Sequence, residues 1–276
     1  MIKLSRVEDF YGSATAITGV SLVVNPSLSL FDRGLLLIIV LLLNVFAFAI
    51  NDIEDAEDDA KDPAKVNRNP ISAGILKKKE ALVFTWSIAV LSLLLLLKFG
   101  AASTAIGLLT IIVGFLYSFK SIRLKSIPFL DIISHGLFLG GLQSLVIITA
   151  YNNPLTTTGI LLTILIFFQS TMGDINNEIR DYEVDRATGI KNTASVLNLV
   201  KAKSFMHFLQ LLPVIALAVI IFTKINQTAL VVLLILIAIT IIYYVIAYAS
   251  KRKRGFYDKH SQQLIAFFGL ILLATV

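Results

Sequence analysis

The sequence predicts an all-α fold, a bundle of membrane-spanning helices, and three observations carry that prediction. Of its 276 residues, 57% are hydrophobic and only 15% are charged, whereas a soluble domain is ~45–50% apolar. The mean hydropathy is +0.83. The apolar residues fall in long Leu, Ile and Val runs, with the charges clustered between them.

A span needs ~20 mainly apolar residues, and nine segments are read as spans along the chain. Residues 10–30 form the first, diluted by Ser, Thr and Gly. Residues 34–53 form the second, which runs into NDIEDAEDDAKDPAKVNRNP. The third and fourth, 81–99 and 101–119, are separated by almost nothing, so a tight turn is expected near Gly100. Residues 128–150 form the fifth. Residues 158–176 form the sixth, which runs into NNEIRDYEVDRATGIKNTA. The seventh, eighth and ninth cover 205–222, 228–249 and 262–276.

The basic residues orient this bundle. With a cytoplasmic N-terminus, all but Arg33, Lys98 and Lys224 of the 24 Lys and Arg residues lie at the N-terminus or in the segments after the second, fourth, sixth and eighth spans. Such asymmetry is the positive-inside pattern. It predicts a multi-pass cell-membrane protein with the N-terminus and both acidic segments cytoplasmic. The net charge of +6 therefore reads as orientation, and no nucleic-acid partner is expected. The run KRKRGFYDK (251–259) reads as an anchor on anionic membrane lipid. The polar start, MIKLSRVEDF, does not read as a removable signal peptide.

Absent residue types exclude some chemistry. With no cysteine, there is no disulfide, thiolate zinc site or cysteine nucleophile. His135, His207 and His260 are far apart and read as packing or interfacial residues.

The acidic segments repeat. When Asn51 is aligned with Asn177, NDIEDAEDD meets NEIRDYEVD. Asn, Ile, Asp, Glu and Asp recur at equal offsets, and Asp52 meets Glu178. The match marks an internal pseudo-repeat within one domain, 1–276, with halves of about 1–125 and 126–276. Residues at i, i+4 and i+8 share a helical face. Asn51, Asp55 and Asp59 thus form one oxygen-rich stripe, and Asn177, Asp181 and Asp185 form another. Asp174 lies seven residues before Asp181, close to the same face. Carboxylates at i,i+4 repel unless a cation neutralises them. The donors are hard oxygens, so Mg²⁺ fits best, as an ion held by one or two carboxylates plus substrate phosphates. Two basic segments share that side: Lys120, Arg123 and Lys125 after Tyr117, and Lys65 and Arg68 with Asn69. Beyond orientation, they suit the remaining charge of a diphosphate.

These residues resemble the UbiA superfamily of intramembrane prenyltransferases over essentially the whole chain. Asn51, Asp52, Asp55 and Asp59 match the family's first motif. Asp181 and Asp185 match the last two aspartates of its second, followed by Gly189, Ile190 and Lys191. Residues 117–125 are similar to the family's tyrosine-then-basic loop. Two positions depart. The second motif is often written DxxxDxxxD, but residue 177 is Asn, with Glu178 beside it. Many members carry Asn-Arg-Pro after the first motif, where this chain has Asn67-Arg68-Asn69-Pro70. The NNEIRD wording is closer to the menaquinone-type and UBIAD-type branch.

The resemblance implies a nine-helix bundle around a central cavity capped by cytoplasmic loops. It implies transfer of an isoprenyl group from an isoprenyl diphosphate to a lipophilic acceptor, a quinone precursor or another lipid, with two Mg²⁺ ions. Asn51, Asp55 and Asp59 would hold one ion. Asp181 and Asp185 would hold the other, with Asp174, Asn177 or Glu178 assisting. Arg68 and Lys120, Arg123 or Lys125 would contact the diphosphate, alongside Asn51. Tyr117 would lie near the reacting carbon or the phosphate. No protein partner is inferable, and the acceptor stays open. The alternative from another class is a cation-coupled transporter, which also uses internal repeats and intramembrane acids. Here, however, the acids sit at helix ends, not at mid-span.

Overall fold

A computed structural model describes residues 2–7, 10–63 and 65–224, and the regular elements in that range are helical. Helix α1 (Ile2–Ser5) is a single turn. Helix α2 (Tyr11–Val24) has 14 residues, so the first expected span, 10–30, is shorter than predicted. Its end is fixed from outside. Asn25 donates to the Ala150 carbonyl and Asn153 to that of Val24, and Pro26 lacks the N–H that would continue the ladder. Arg33 then folds back, donating to the carbonyls of Asn25, Pro26 and Leu28 and to the Ser21 hydroxyl. A cation suits the negative end of a helix.

Helix α3 (Leu30–Asp59) starts at Ser29, whose side chain accepts from the Asp32 N–H. Its 30 residues extend ~45 Å, longer than a ~30 Å hydrocarbon core, so the helix has length to spare for its acidic end. Helices α4 (Lys78–Leu96) and α5 (Ala101–Ser118) form a hairpin. A 3₁₀ turn and Gly100 join them, and the φ of +102° at Gly100 suits a residue without Cβ.

The fifth expected span is continuous but not uniform. Helix α6 (Leu130–Gly136) passes through a π-helical turn (Leu137–Gly141) into α7 (Leu142–Ile148). Helix α8 (Thr157–Thr188) packs on this turn. A Cβ on Gly140 would lie 2.8 Å from the Ile166 carbonyl oxygen of α8, so glycine permits the close approach. Helix α8 ends at Gly189 in the left-handed region. Helix α9 (Thr193–Leu197) begins with a capping box at Asn192, and α10 (Leu199–Lys224) covers the seventh expected span.

Helix α3 is the spine: α2, α4 and α5 pack along it, while α6 and α10 pack along α8. Inside, Asn44 of α3 donates to Gln143 of α7 at 3.1 Å, both fully buried. Five stretches are long and apolar enough to cross a membrane: Leu30–Asp59, Lys78–Phe99, Ala101–Ser118, Leu130–Ile148 and Thr157–Glu183. The apolar window of Leu130–Ile148 is 72% buried and that of Lys78–Phe99 only 28%. The first is therefore central, and the second presents an apolar flank suited to lipid. The eighth and ninth expected spans, the KRKRGFYDK run and His260 lie outside the described residues.

Candidate active site

The C-terminal turns of α3 carry the first stripe, and the loop after α5 brings cations onto it. Arg123 has φ +46°, in the left-handed region that few residues other than glycine adopt. Lys125 Nζ lies 2.7 Å from Asn51 Oδ1 and 2.6 Å from Asp55 Oδ2. Arg123 donates to Asp55 Oδ1 at 3.1 Å and to Asp58 Oδ2 at 3.2 Å. Both oxygens of Asp55 are thereby engaged. Burial pushes the Lys125 ammonium below its ordinary pKa, while the Asp55 carboxylate pulls it back up. Lys120 behaves differently: it pairs with Glu57 on the exposed rim at 2.7 Å.

Asp52, next to the stripe, faces inward. It accepts from Arg6 at 3.2 Å, and Arg6 lies over the Phe48 ring at 4.8 Å. Asp59 ends the stripe and accepts from Asn69 Nδ2 at 2.9 Å.

The second stripe, on α8, is held by other means. Deepest is Asp174, which accepts from the Tyr117 hydroxyl at 3.4 Å and lies 3.8 Å from His135 Nε2. Glu178 is buried and accepts from the Ala194 N–H at 2.8 Å. Beside it, buried Asp131 accepts from the Thr193 N–H and hydroxyl at 2.7 and 2.5 Å. Asp181 is half-exposed and paired with Arg180 at 2.9 Å. Asp185 accepts from Asn192 Nδ2 at 2.9 Å. Burial raises the pKa of Asp185, and the Asn192 bond opposes that rise. Asn177 is exposed.

Two features join α3 and α8 along their acidic stretches. Tyr117 and Ser118 are neighbours in the last turn of α5. Tyr117 bonds Asp174 of α8, while Ser118 bonds Asn51 of α3 at 3.3 Å. From the loop after α3, Lys65 lies within electrostatic range of Asp181 and Asp185, and Arg68 of Asp52 and Asp181.

The structure thus gathers Asn51, Asp55, Arg123 and Lys125 by direct bonds, and Tyr117 with Asp174. It leaves Lys120 on the rim and Asn177 exposed. Sequence reading missed what Asn69, Asn192, Ser118, Arg6 and Asp131 do. Asn69 before Pro70, and Asn192 before the Thr-Ala-Ser start of α9, carried local signals of a turn and a helix cap. The partners of both are set by tertiary approach.

The UbiA prenyltransferase family profile matches residues 13–270. A lycopene elongase/hydratase of Haloarcula japonica is 30% identical over 204 residues, which span 71% of this chain and 66% of that relative, just under two thirds of its length. Among solved structures, a UbiA homolog from Archaeoglobus fulgidus bound to GPP and Mg²⁺ is similar with a TM-score of 0.77. It is 21% identical, with 99% of this chain and 97% of that one covered. A digeranylgeranylglyceryl phosphate synthase structure is similar with a TM-score of 0.69 at 23% identity, covering 99% and 96% of the two chains. At these identities the structural likeness establishes the fold.

Proposed function

Since the chain belongs to the UbiA prenyltransferase family, we propose that this multi-pass membrane enzyme transfers an isoprenyl group from an isoprenyl diphosphate to a lipophilic acceptor at the two acidic helix ends. One observation carries the reading. Neighbouring residues of α5 bond the two acidic helices, Ser118 to Asn51 and Tyr117 to Asp174, while Lys125 and Arg123 lie on the first stripe. The arrangement links both acidic stretches through α5 and sets cations beside carboxylates, which suits a metal-bound diphosphate.

The donor set fits Mg²⁺. Its oxygens are hard, and the A. fulgidus homologue was solved with GPP or DMAPP and Mg²⁺. Among the described residues no three His, Cys, Asp or Glu side chains form a ready cage. Mg²⁺ is commonly held by one or two carboxylates and completed by substrate phosphate. Asn51, Asp55 and Asp59 would hold one ion. Asp181 and Asp185 would hold a second, with Asp174, Asn177 or Glu178 in support. Mg²⁺ there would withdraw charge from the diphosphate and ease ionisation of the allylic C–O bond.

The chain's own groups supply the rest. Lys125 and Arg123 are held on Asp55, and their N–H donors can turn to phosphate oxygens when a cation takes over that carboxylate. Lys65 and Arg68 would do the same from the second side. Tyr117, between the two motifs, would border the reacting carbon or the phosphate. A central cavity reached from the bilayer would keep water from the allylic cation until the acceptor attacks. In this reading the site and the N-terminus are cytoplasmic, and residues 1–276 form one domain of two pseudo-repeats.

The transporter alternative finds no support in a family of prenyltransferases. Purified protein with Mg²⁺, geranylgeranyl diphosphate and a panel of quinone-precursor, glyceryl-phosphate and carotenoid acceptors, read by mass spectrometry, tests the reading. We expect prenylated product and pyrophosphate with at least one acceptor. Undiminished activity in Asp55→Ala and Asp181→Ala would falsify the site assignment.

A further inference from the structure

The last carboxylate of each stripe is held by the same device, built from unrelated local structure. Asp59 Oδ2 accepts from Asn69 Nδ2 at 2.9 Å, and Asp185 Oδ2 accepts from Asn192 Nδ2 at 2.9 Å. Both asparagines are buried, at 2% and 6% exposure. Each amide is itself fixed by backbone. Asn69 Oδ1 accepts from the Ile71 N–H, and its Nδ2 also donates to the Asp52 carbonyl. Asn192 Oδ1 accepts from the Ser195 N–H as the cap of α9. One asparagine sits in a turn before a proline and the other at a helix start, yet both deliver one N–H to one Oδ2.

We infer that Asn69 and Asn192 are positioning residues that set Asp59 and Asp185 for cation binding, an inference that rests on the proposed metal role of those aspartates. An amide donor suits the task. It fixes the rotamer of the carboxylate, and so the direction of its other oxygen, without bringing a positive charge that would compete with a metal ion. Asp55, by contrast, has both oxygens on cations. Fixing a ligating carboxylate through an outer partner raises metal affinity, and loss of such a partner costs ~10–100-fold. Positions along the stripes then divide the work. Asp55 carries exchangeable counter-charge, while Asp59 and Asp185 stay oriented.

Serine separates this role from a structural one. Ser in place of Asn keeps a side-chain acceptor for the turn at Ile71 or the cap at Ser195 but is too short to reach the aspartate. Mn²⁺ binding to the full-length, detergent-purified chain, read by electron paramagnetic resonance, reports the site without turnover. We expect Asn69→Ser and Asn192→Ser to weaken Mn²⁺ binding about 10-fold in chains that still fold, with the smaller loss of thermal stability in Asn192→Ser, because Asn69→Ser also gives up the bond to the Asp52 carbonyl. In Asp185→Ala, adding Asn192→Ser should cost nothing further, because the asparagine acts through that carboxylate. If one serine variant fails to fold, the other copy carries the test. Wild-type Mn²⁺ binding in the serine variants, with binding lost in Asp59→Ala and Asp185→Ala, overturns this inference alone. Unchanged binding in the alanine variants overturns the metal reading as well.

Discussion

The acidic ends of α3 and α8 share a spacing but not a way of neutralising charge. At α3, Lys125 and Arg123 bond the stripe and Arg6 bonds Asp52 beside it. At α8, hydrogen bonds predominate: Tyr117 on Asp174, the Ala194 N–H on Glu178, and Asn192 on Asp185. Arg180, the sequence neighbour of Asp181, pairs with it at 2.9 Å. Lys65 and Arg68 act on Asp181 from a distance. The difference teaches that a repeated motif fixes the spacing of carboxylates, while the surrounding loops decide whether cations or neutral donors meet them.

The sharpest break of this comparison is loss of one central aspartate from each half. We expect Asp55→Ala and Asp181→Ala each to lower turnover by about 10³-fold, equal to about 4 kcal/mol of transition-state stabilisation. Single-turnover assays at saturating Mg²⁺ measure it. A mild Asp181→Ala would show that α8 is not an equal partner. Next comes Lys125→Met. A cation that moves from Asp55 to phosphate should cost about 10²-fold in kcat/KM, mostly at the donor diphosphate. If Lys125 serves only to quiet Asp55, donor KM should stay unchanged.

Much of this was legible in the sequence, for particular reasons. Asn51, Asp55 and Asp59 lie one helical turn apart, so a local period gives their face. The paired windows gave the second helix end, and Gly100 marked a tight turn. Bonds between distant segments were not legible. Asn69 on Asp59, and Tyr117 on Asp174, depend on how a turn and α5 dock against helices, which no local period encodes. The first span misled for a related reason. Its apolar content suggested 20 residues, but Arg33, Asn25 and Asn153 cap α2 early through contacts from elsewhere. The sequence could not separate Lys120 from Arg123 and Lys125, because all three share one short segment, whereas in the structure the Lys120 side chain pairs with Glu57 on the rim.

The comparison extends to the inward carboxylates Asp52 and Glu178, which align in the repeat and are both buried. Each ties the motif helix to an outside element, Asp52 to the N-terminal segment through Arg6 and Glu178 to the start of α9. Their loss should act on folding more than on chemistry. Arg6→Ala leaves a buried carboxylate without that donor, and Glu178→Ala does the same to the Ala194 N–H. Each should cost about 1–3 kcal/mol, read as a lower unfolding temperature in detergent, with activity per folded molecule falling less than in Asp55→Ala. Activity lost with no change in stability would move these residues into the chemistry.

The smallest effect is expected at Lys120, and it tests whether the cation loop works as a whole or residue by residue. Lys120, Arg123 and Lys125 share one short segment, and any orientation or long-range role would treat them alike. Their contacts do not. Lys120 bonds Glu57 on the exposed rim, where solvent screens the pair, whereas Lys125 is mostly buried on Asn51 and Asp55. Lys120→Ala should therefore change kcat/KM by no more than about 2–3-fold, against the far larger loss at Lys125. An equal loss at both positions would mean that the loop closes over substrate and carries Lys120 inward, and the division between rim and stripe would not describe catalysis.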